Sequence, residues 1–161
     1  MRILSGEEEK EALEFIVAAT ALARKATCNR SRCGSVIVKD GEIIGSGFNS
    51  PPGNLESQRR CSYSKLNYDL KVTDKTCCIH AEQRAVMDAL AKNHAKLPGS
   101  RIYFMRVDDE GRPTRAGEPY CTICSKMVLD ARVAEFVLWC KEGIKVYRTE
   151  EYNDVSFDYN G

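Results

Sequence analysis

The sequence predicts an α/β fold, a three-layer α/β/α sandwich over a five-stranded mixed sheet. Three observations carry that reading. Segments of helical period alternate with strand-like segments in the order helix, hairpin, helix, strand, helix, strand. Asp40-Gly41 stands between two β-branched, apolar runs, which is a hairpin turn. Only Cys140-Lys141-Glu142-Gly143 separates the last two strands, too few residues for a parallel crossover, so those strands pair antiparallel.

Each element follows from its residues. Ala12, Phe15, Ile16, Ala19, Leu22 and Ala23 recur at helical spacing, so a helix is expected over residues 7–25. Ser5 with Glu8 three residues on predicts a capping box at its start. The hairpin spans 34–49, and Ser50-Pro51-Pro52-Gly53 ends it because two prolines cannot continue a ladder. Residues 50–76 lack a sustained period and read as a long loop, of a length usually functional or locally stapled. A second helix starts near His80 with Ala85, Val86, Ala89 and Leu90 on one stripe. Strands are expected at Arg101–Val107, Ala134–Trp139 and Ile144–Arg148, and a third helix from Cys121 to Ala131. The tail aromatics Tyr147, Tyr152, Phe157 and Tyr159 are expected to pack on the domain. No repeat or linker interrupts the pattern, so 1–161 is read as a single domain.

The totals narrow the function classes. Charged residues are 29% and hydrophobic ones 43%, as in a globular protein that buries a core. A formal net charge of +1 gives no strongly basic face for a long nucleic acid. No run of eighteen apolar residues predicts a membrane span, and the first residues lack the apolar segment of a secretory signal. A cytoplasmic location is expected. In that setting the eight cysteines point to metal rather than to disulfides.

The chemistry concentrates in two stretches. His80-Ala81-Glu82 reads H-x-E, and Pro119-Tyr120-Cys121-Thr122-Ile123-Cys124 ends in C-x-x-C. One imidazole and two thiolates make three ligands for a tetrahedral zinc and leave one position for water. Cys121 and Cys124 lie one helical turn apart, and a helix N-terminus favours the thiolate that zinc requires. Glu82 falls within reach of the water without being needed as a ligand. From about Ser35 to Trp139 the chain resembles the cytidine deaminase superfamily, and most closely its cytidine and deoxycytidylate deaminases.

That resemblance implies a cytidine deaminase-like fold and a zinc-dependent hydrolase. His80, Cys121 and Cys124 would hold the metal, and Glu82 would move the protons. The substrate would be a cytosine ring in a free nucleotide or nucleoside, the products uracil and ammonia. Asn49, closing the second strand, would contact sugar or base, and the backbone N–H of Ala81 the pyrimidine carbonyl. A homo-oligomer is also implied. Some deoxycytidylate deaminases carry a second, structural zinc, for which Cys61 with Cys77 or Cys78 are the matching thiols. Arg30, Arg32, Arg59, Arg60 and Lys65 are the basic residues available to a nucleotide phosphate.

Two features depart from the family pattern. Tyr120 separates Pro119 from Cys121, where the signature has proline directly before the first cysteine. The terminal hairpin resembles the free-nucleoside branch, whereas a histidine ligand resembles the deoxycytidylate branch. Two other readings stand beside the leading one. The first is deamination of a base in single-stranded RNA or DNA. The second is a non-catalytic zinc-stabilised module, with Cys77 or Cys78 as a fourth ligand to His80, Cys121 and Cys124.

Overall fold

The computed structural model describes residues 1–160. Its elements in chain order are β1 (Arg2–Ile3), α1 (Gly6–Ala23), β2 (Arg32–Lys39), β3 (Glu42–Phe48), α2 (Ala81–Asn93), β4 (Arg101–Val107), β5 (Pro113–Thr114), α3 (Thr122–Asp130), β6 (Glu135–Cys140), β7 (Gly143–Arg148) and α4 (Thr149–Phe157). One sheet runs β1-β7-β6-β4-β2-β3, with β5 added to β4. Only β4 and β6 pair in parallel, joined through α3; β6 and β7 form the antiparallel hairpin that the four-residue connection requires. The five expected strands form the body of this sheet, and β1 and β5 extend it by two residues each.

Alternation along each strand builds the layers. On β4, Ile102 and Phe104 join a cluster with Ala85, Val86, Val128 and Tyr152, whereas Tyr103 and Met105 join Phe15, Ile16 and Ala19. On β6, Phe136 and Leu138 take the first side, and Val137 and Trp139 the second. One face is thus covered by α2, α3 and α4, the other by α1.

The position of α2 is set by two glycines of β3. A Cβ on Gly47 would come within 2.4 Å of the Ala81 carbonyl oxygen and 2.6 Å of the Ala85 nitrogen. A Cβ on Gly45 would meet the Ala85 carbonyl oxygen at 2.5 Å. The helix answers with Ala81, Ala85 and Ala89, all buried, so its backbone lies almost on the strand. Hydrogen bonds pin the contact: the Ser46 N–H donates to Asp88 Oδ2 at 3.0 Å, and Asn93 Nδ2 donates to the Ile44 carbonyl at 2.8 Å.

Several expectations change in detail. Ser5 occupies the N-cap of α1 but makes no side-chain cap bond. Arg2 takes the Glu8 carboxylate through two 2.7 Å bonds and Arg101 adds one at 3.0 Å, so no capping box forms. The first helix ends at Ala23, because Arg24 and Lys25 close it with backbone bonds into a turn. Leu90 lies off the buried stripe of α2 and is exposed, as is Met87. The 50–76 segment contains three short 3-10 turns, at Pro52–Asn54, Glu56–Gln58 and Lys65–Asn67. Helix α4 adds an element beyond those the sequence predicts. It buries Tyr152, which stacks on Phe136 with centroids 3.8 Å apart and meets the buried Tyr147 edge-on, whereas Phe157 and Tyr159 are exposed.

Gly47→Ala is expected to lower stability by about 1–3 kcal/mol, the usual cost of overpacking, measured by thermal or urea unfolding. Wild-type stability in that variant would mean that the α2–β3 distance is not constrained as described.

Candidate active site

Helices α2 and α3 present their N-termini to the same point. His80 is the N-cap of α2, its extended backbone held by an N–H bond to Gln83 Oε1 at 2.9 Å. Cys121 is the N-cap of α3, and the Ser125 N–H returns to its carbonyl at 2.9 Å. One turn on, Cys124 points inward and is fully buried. His80 Nδ1 lies 3.1 Å from Cys124 Sγ and 3.3 Å from Cys121 Sγ. The three donor atoms lie within 4.8 Å of one another, and no fourth His, Cys, Asp or Glu joins the group among the described residues. Tyr120 does not prevent this assembly, since both thiols still sit on the first turn of α3.

The electrostatics suit a cation. The hydrogen bond from Cys124, helped by His80, pulls the Cys121 thiol down to about 4. That same bond, with burial, pushes Cys124 well above the ordinary thiol range. Burial favours a neutral His80, but Cys121 and Glu82 outweigh it and lift the ring to about 9. Glu82 is 5% exposed, and burial raises its carboxyl against the opposing pull of His80. Two soft thiolates and an imidazole at this spacing fit a tetrahedral zinc, and the donor set leaves one coordination position over.

Around this point opens a cleft of about 910 Å³, open solvent included, lined by His80, Ala81, Glu82, Cys121, Asn49 and Tyr120 among others. Asn49 is held by the backbone on both sides of its amide. Its Oδ1 accepts from the Cys33 N–H at 2.8 Å, and its Nδ2 donates to the Ser31 carbonyl at 2.7 Å. An amide has two acceptor lone pairs and two N–H groups, so one of each is still available. The Ala81 N–H, in the first turn of α2, has no partner within its own helix.

A second thiol cluster borders the same cleft. Cys28, Cys61 and Cys78 place their sulfurs within 4.8 Å of one another. Cys77 Sγ lies 3.3 Å from Cys61 Sγ and accepts the Arg60 N–H at 2.9 Å. Cys61 is held at about 7: burial works against the thiolate, but the Asn29 N–H with Cys77 and Arg59 outweighs it. Cys77 and Cys78 therefore belong to this cluster, which takes away the fourth ligand that a closed structural site at His80 would need. Cys28, in the loop after α1, is a member that sequence spacing missed. Cys33 lies elsewhere, on β2, with its thiol pushed up to about 11 by burial.

Most basic residues of the irregular segments are already engaged. Arg30 donates to the carbonyls of Cys61 (2.9 Å) and Tyr63 (2.6 Å), and Arg59 donates to Glu56 and to the Thr27 carbonyl. Arg60 turns to Gln58, and Arg32 to the Arg24 carbonyl. Arg30 and Lys65 line the cleft; Arg32, Arg59 and Arg60 do not. No helix among the described residues is long and apolar enough to cross a membrane.

Residues 9–140 match the family described as the cytidine and deoxycytidylate deaminase zinc-binding region. The chain belongs to that family. It is therefore an enzyme of the zinc-dependent cytidine/deoxycytidylate deaminase class, a hydrolase. The deoxycytidylate deaminase of Mycobacterium phage D29 is 28% identical over 134 residues, 80% of this chain and 92% of its own. Among solved structures, the dCMP deaminase of cyanophage S-TIM5 superposes with a TM-score of 0.55 at 24% identity over 82% of each chain. A second structure of that phage enzyme is a complex with dCMP and dUMP. Cytidine deaminase from Burkholderia pseudomallei gives a TM-score of 0.56 at 20% identity, over 87% of this chain and 94% of its own. These structural likenesses bear on the fold.

Proposed function

We propose that this enzyme hydrolytically deaminates the cytosine ring of a free nucleotide, deoxycytidylate or a close relative, to the uracil product and ammonia. The observation that carries the reading is the buried carboxyl of Glu82 beside a three-donor cluster with one position open. The deoxycytidylate deaminase of phage D29 supports the nucleotide as substrate.

His80, Cys121 and Cys124 would hold the zinc, which supplies a Lewis acid that makes water a nucleophile near neutral pH. Asn49 and the Ala81 N–H orient the pyrimidine so that C4 faces the open position. Glu82 takes the proton of the attacking water and delivers it to the ring nitrogen N3. It then carries the second proton to the departing amine, so that water is consumed and ammonia released. Its buried, upward-shifted carboxyl suits this two-way traffic better than a solvated carboxylate would.

Cys28, Cys61 and Cys78, with Cys77 adjacent, would hold a second, structural zinc that clips the 50–76 segment to the loop before β2. Metal analysis is expected to find two zinc ions per chain. Cys121→Ser with Cys124→Ser removes one and all activity, and Cys61→Ser removes the other. Unchanged zinc in both variants would refute both sites.

Ammonia release from cytidine, deoxycytidine, their monophosphates and cytosine tests the substrate. Deoxycytidylate should lead, and Glu82→Gln should cut its turnover by about 10²–10⁴-fold, the usual share of a general acid–base group, with zinc content unchanged. Full activity in that variant would contradict the mechanism.

A further inference from the structure

The proton and metal chemistry leaves Arg30, Lys65, Arg106 and Glu118 of the cleft unused, and of these Arg106 has a buried donor with no partner. Arg106 stands on β4 two residues beyond Phe104, on the sheet face that α2 and α3 cover, and lines the same cleft as His80 and Glu82. Its strand neighbours are Cys33 on β2 and Thr114 on β5. Its Nη2 donates to Tyr120 Oη at 3.1 Å, whereas its Nε is buried without any hydrogen-bond partner. Among the described residues it makes no ion pair. Glu118, the carboxylate on this wall, is taken by Lys145 at 3.1 Å and by Tyr147 at 3.3 Å.

A guanidinium carries five N–H donors and cannot shed its charge. A buried donor left unbonded is costly, so an acceptor is expected there in the occupied state. The pyrimidine ring is neutral and is served by an amide and a backbone N–H, whereas a monophosphate brings oxygens that match a guanidinium fork. Arg30 is held by two backbone carbonyls, and the Lys65 ammonium sits on an exposed 3-10 turn.

We infer that Arg106 binds the 5′-phosphate of the substrate and makes the enzyme select monophosphate over nucleoside, with Tyr120 as the positioning residue that aims the fork. The inference rests on the nucleotide reading above. It gives the residue inserted between Pro119 and Cys121 a task, because Tyr120 is the group that Arg106 touches.

The test is the kinetics of deoxycytidylate and deoxycytidine with native enzyme, Arg106→Met, Arg106→Lys and Tyr120→Phe. Arg106→Met should lower kcat/KM for deoxycytidylate by about 30- to 5,000-fold, the range for truncating one partner of a charged pair. Deoxycytidine should stay within about threefold. Arg106→Lys should recover part of the loss through KM, and Tyr120→Phe should raise KM for deoxycytidylate alone, with zinc content unchanged. Equal losses on both substrates, or none, would overturn the inference, as would a native enzyme indifferent to the phosphate. If Arg106→Met does not fold, the comparison of Arg106→Lys with Tyr120→Phe decides by the same substrate split. Absence of turnover by the native enzyme on every pyrimidine would instead defeat the deaminase reading. Calorimetric binding of deoxycytidylate against deoxycytidine would then judge Arg106 separately.

Discussion

The close approach of α2 to β3 is the constraint on which the rest depends. Gly45 and Gly47 place no side chain between strand and helix, and Ala81, Ala85 and Ala89 place no more than a methyl group on the facing side. The first turn of α2 is thereby fixed relative to the end of β3. His80 and Glu82 hang from that turn, and Asn49 follows directly after the strand. His80, Glu82 and the residue expected to face substrate are thus set by a single close helix–strand contact.

The second half of the site reaches the same point by another route. The parallel pair β4–β6 requires a crossover, and α3 supplies it with its N-terminus at His80. Helix α4 then supports α3, since Ser125 Oγ donates to Asn153 Oδ1 at 2.8 Å and Tyr152 stacks on Phe136. Two helix N-termini, two thiols and an imidazole in one place make a pocket that stabilises the Cys121 thiolate and fits a cation. The second thiol cluster does related work for the irregular segment, which is otherwise held to the α1–β2 loop by Arg30 and Arg59. A metal shared by residues from both segments would close a long loop that carries little apolar burial of its own.

What the sequence disclosed tracks how local each signal is. The Asp40-Gly41 turn, the four-residue link before the last strand and the 3.6-residue period of α1 are contacts between near neighbours, and all three appear in the structure. The H-x-E and C-x-x-C stretches were legible because each needs only one helical turn. The failures are tertiary. Glu8 was expected to cap α1, yet two arginines from β1 and β4 claim its carboxylate. Cys28 lies 33 residues before Cys61, and only the fold shows that they meet. Arg106 lies on a strand far in sequence from Tyr120, and only the fold brings the two together. Helix α4 was hidden in a tail whose aromatics announced packing but not period.

Catalysis of the proposed kind requires an open coordination position at His80, Cys121 and Cys124. Zinc X-ray absorption on Cys61→Ser, which keeps only that site, tests it most directly. Two sulfur scatterers and two light ones, the imidazole nitrogen and a water oxygen, are expected around that zinc. Three or more sulfurs around that zinc would contradict it, because the site would then be closed and unable to present water to a substrate.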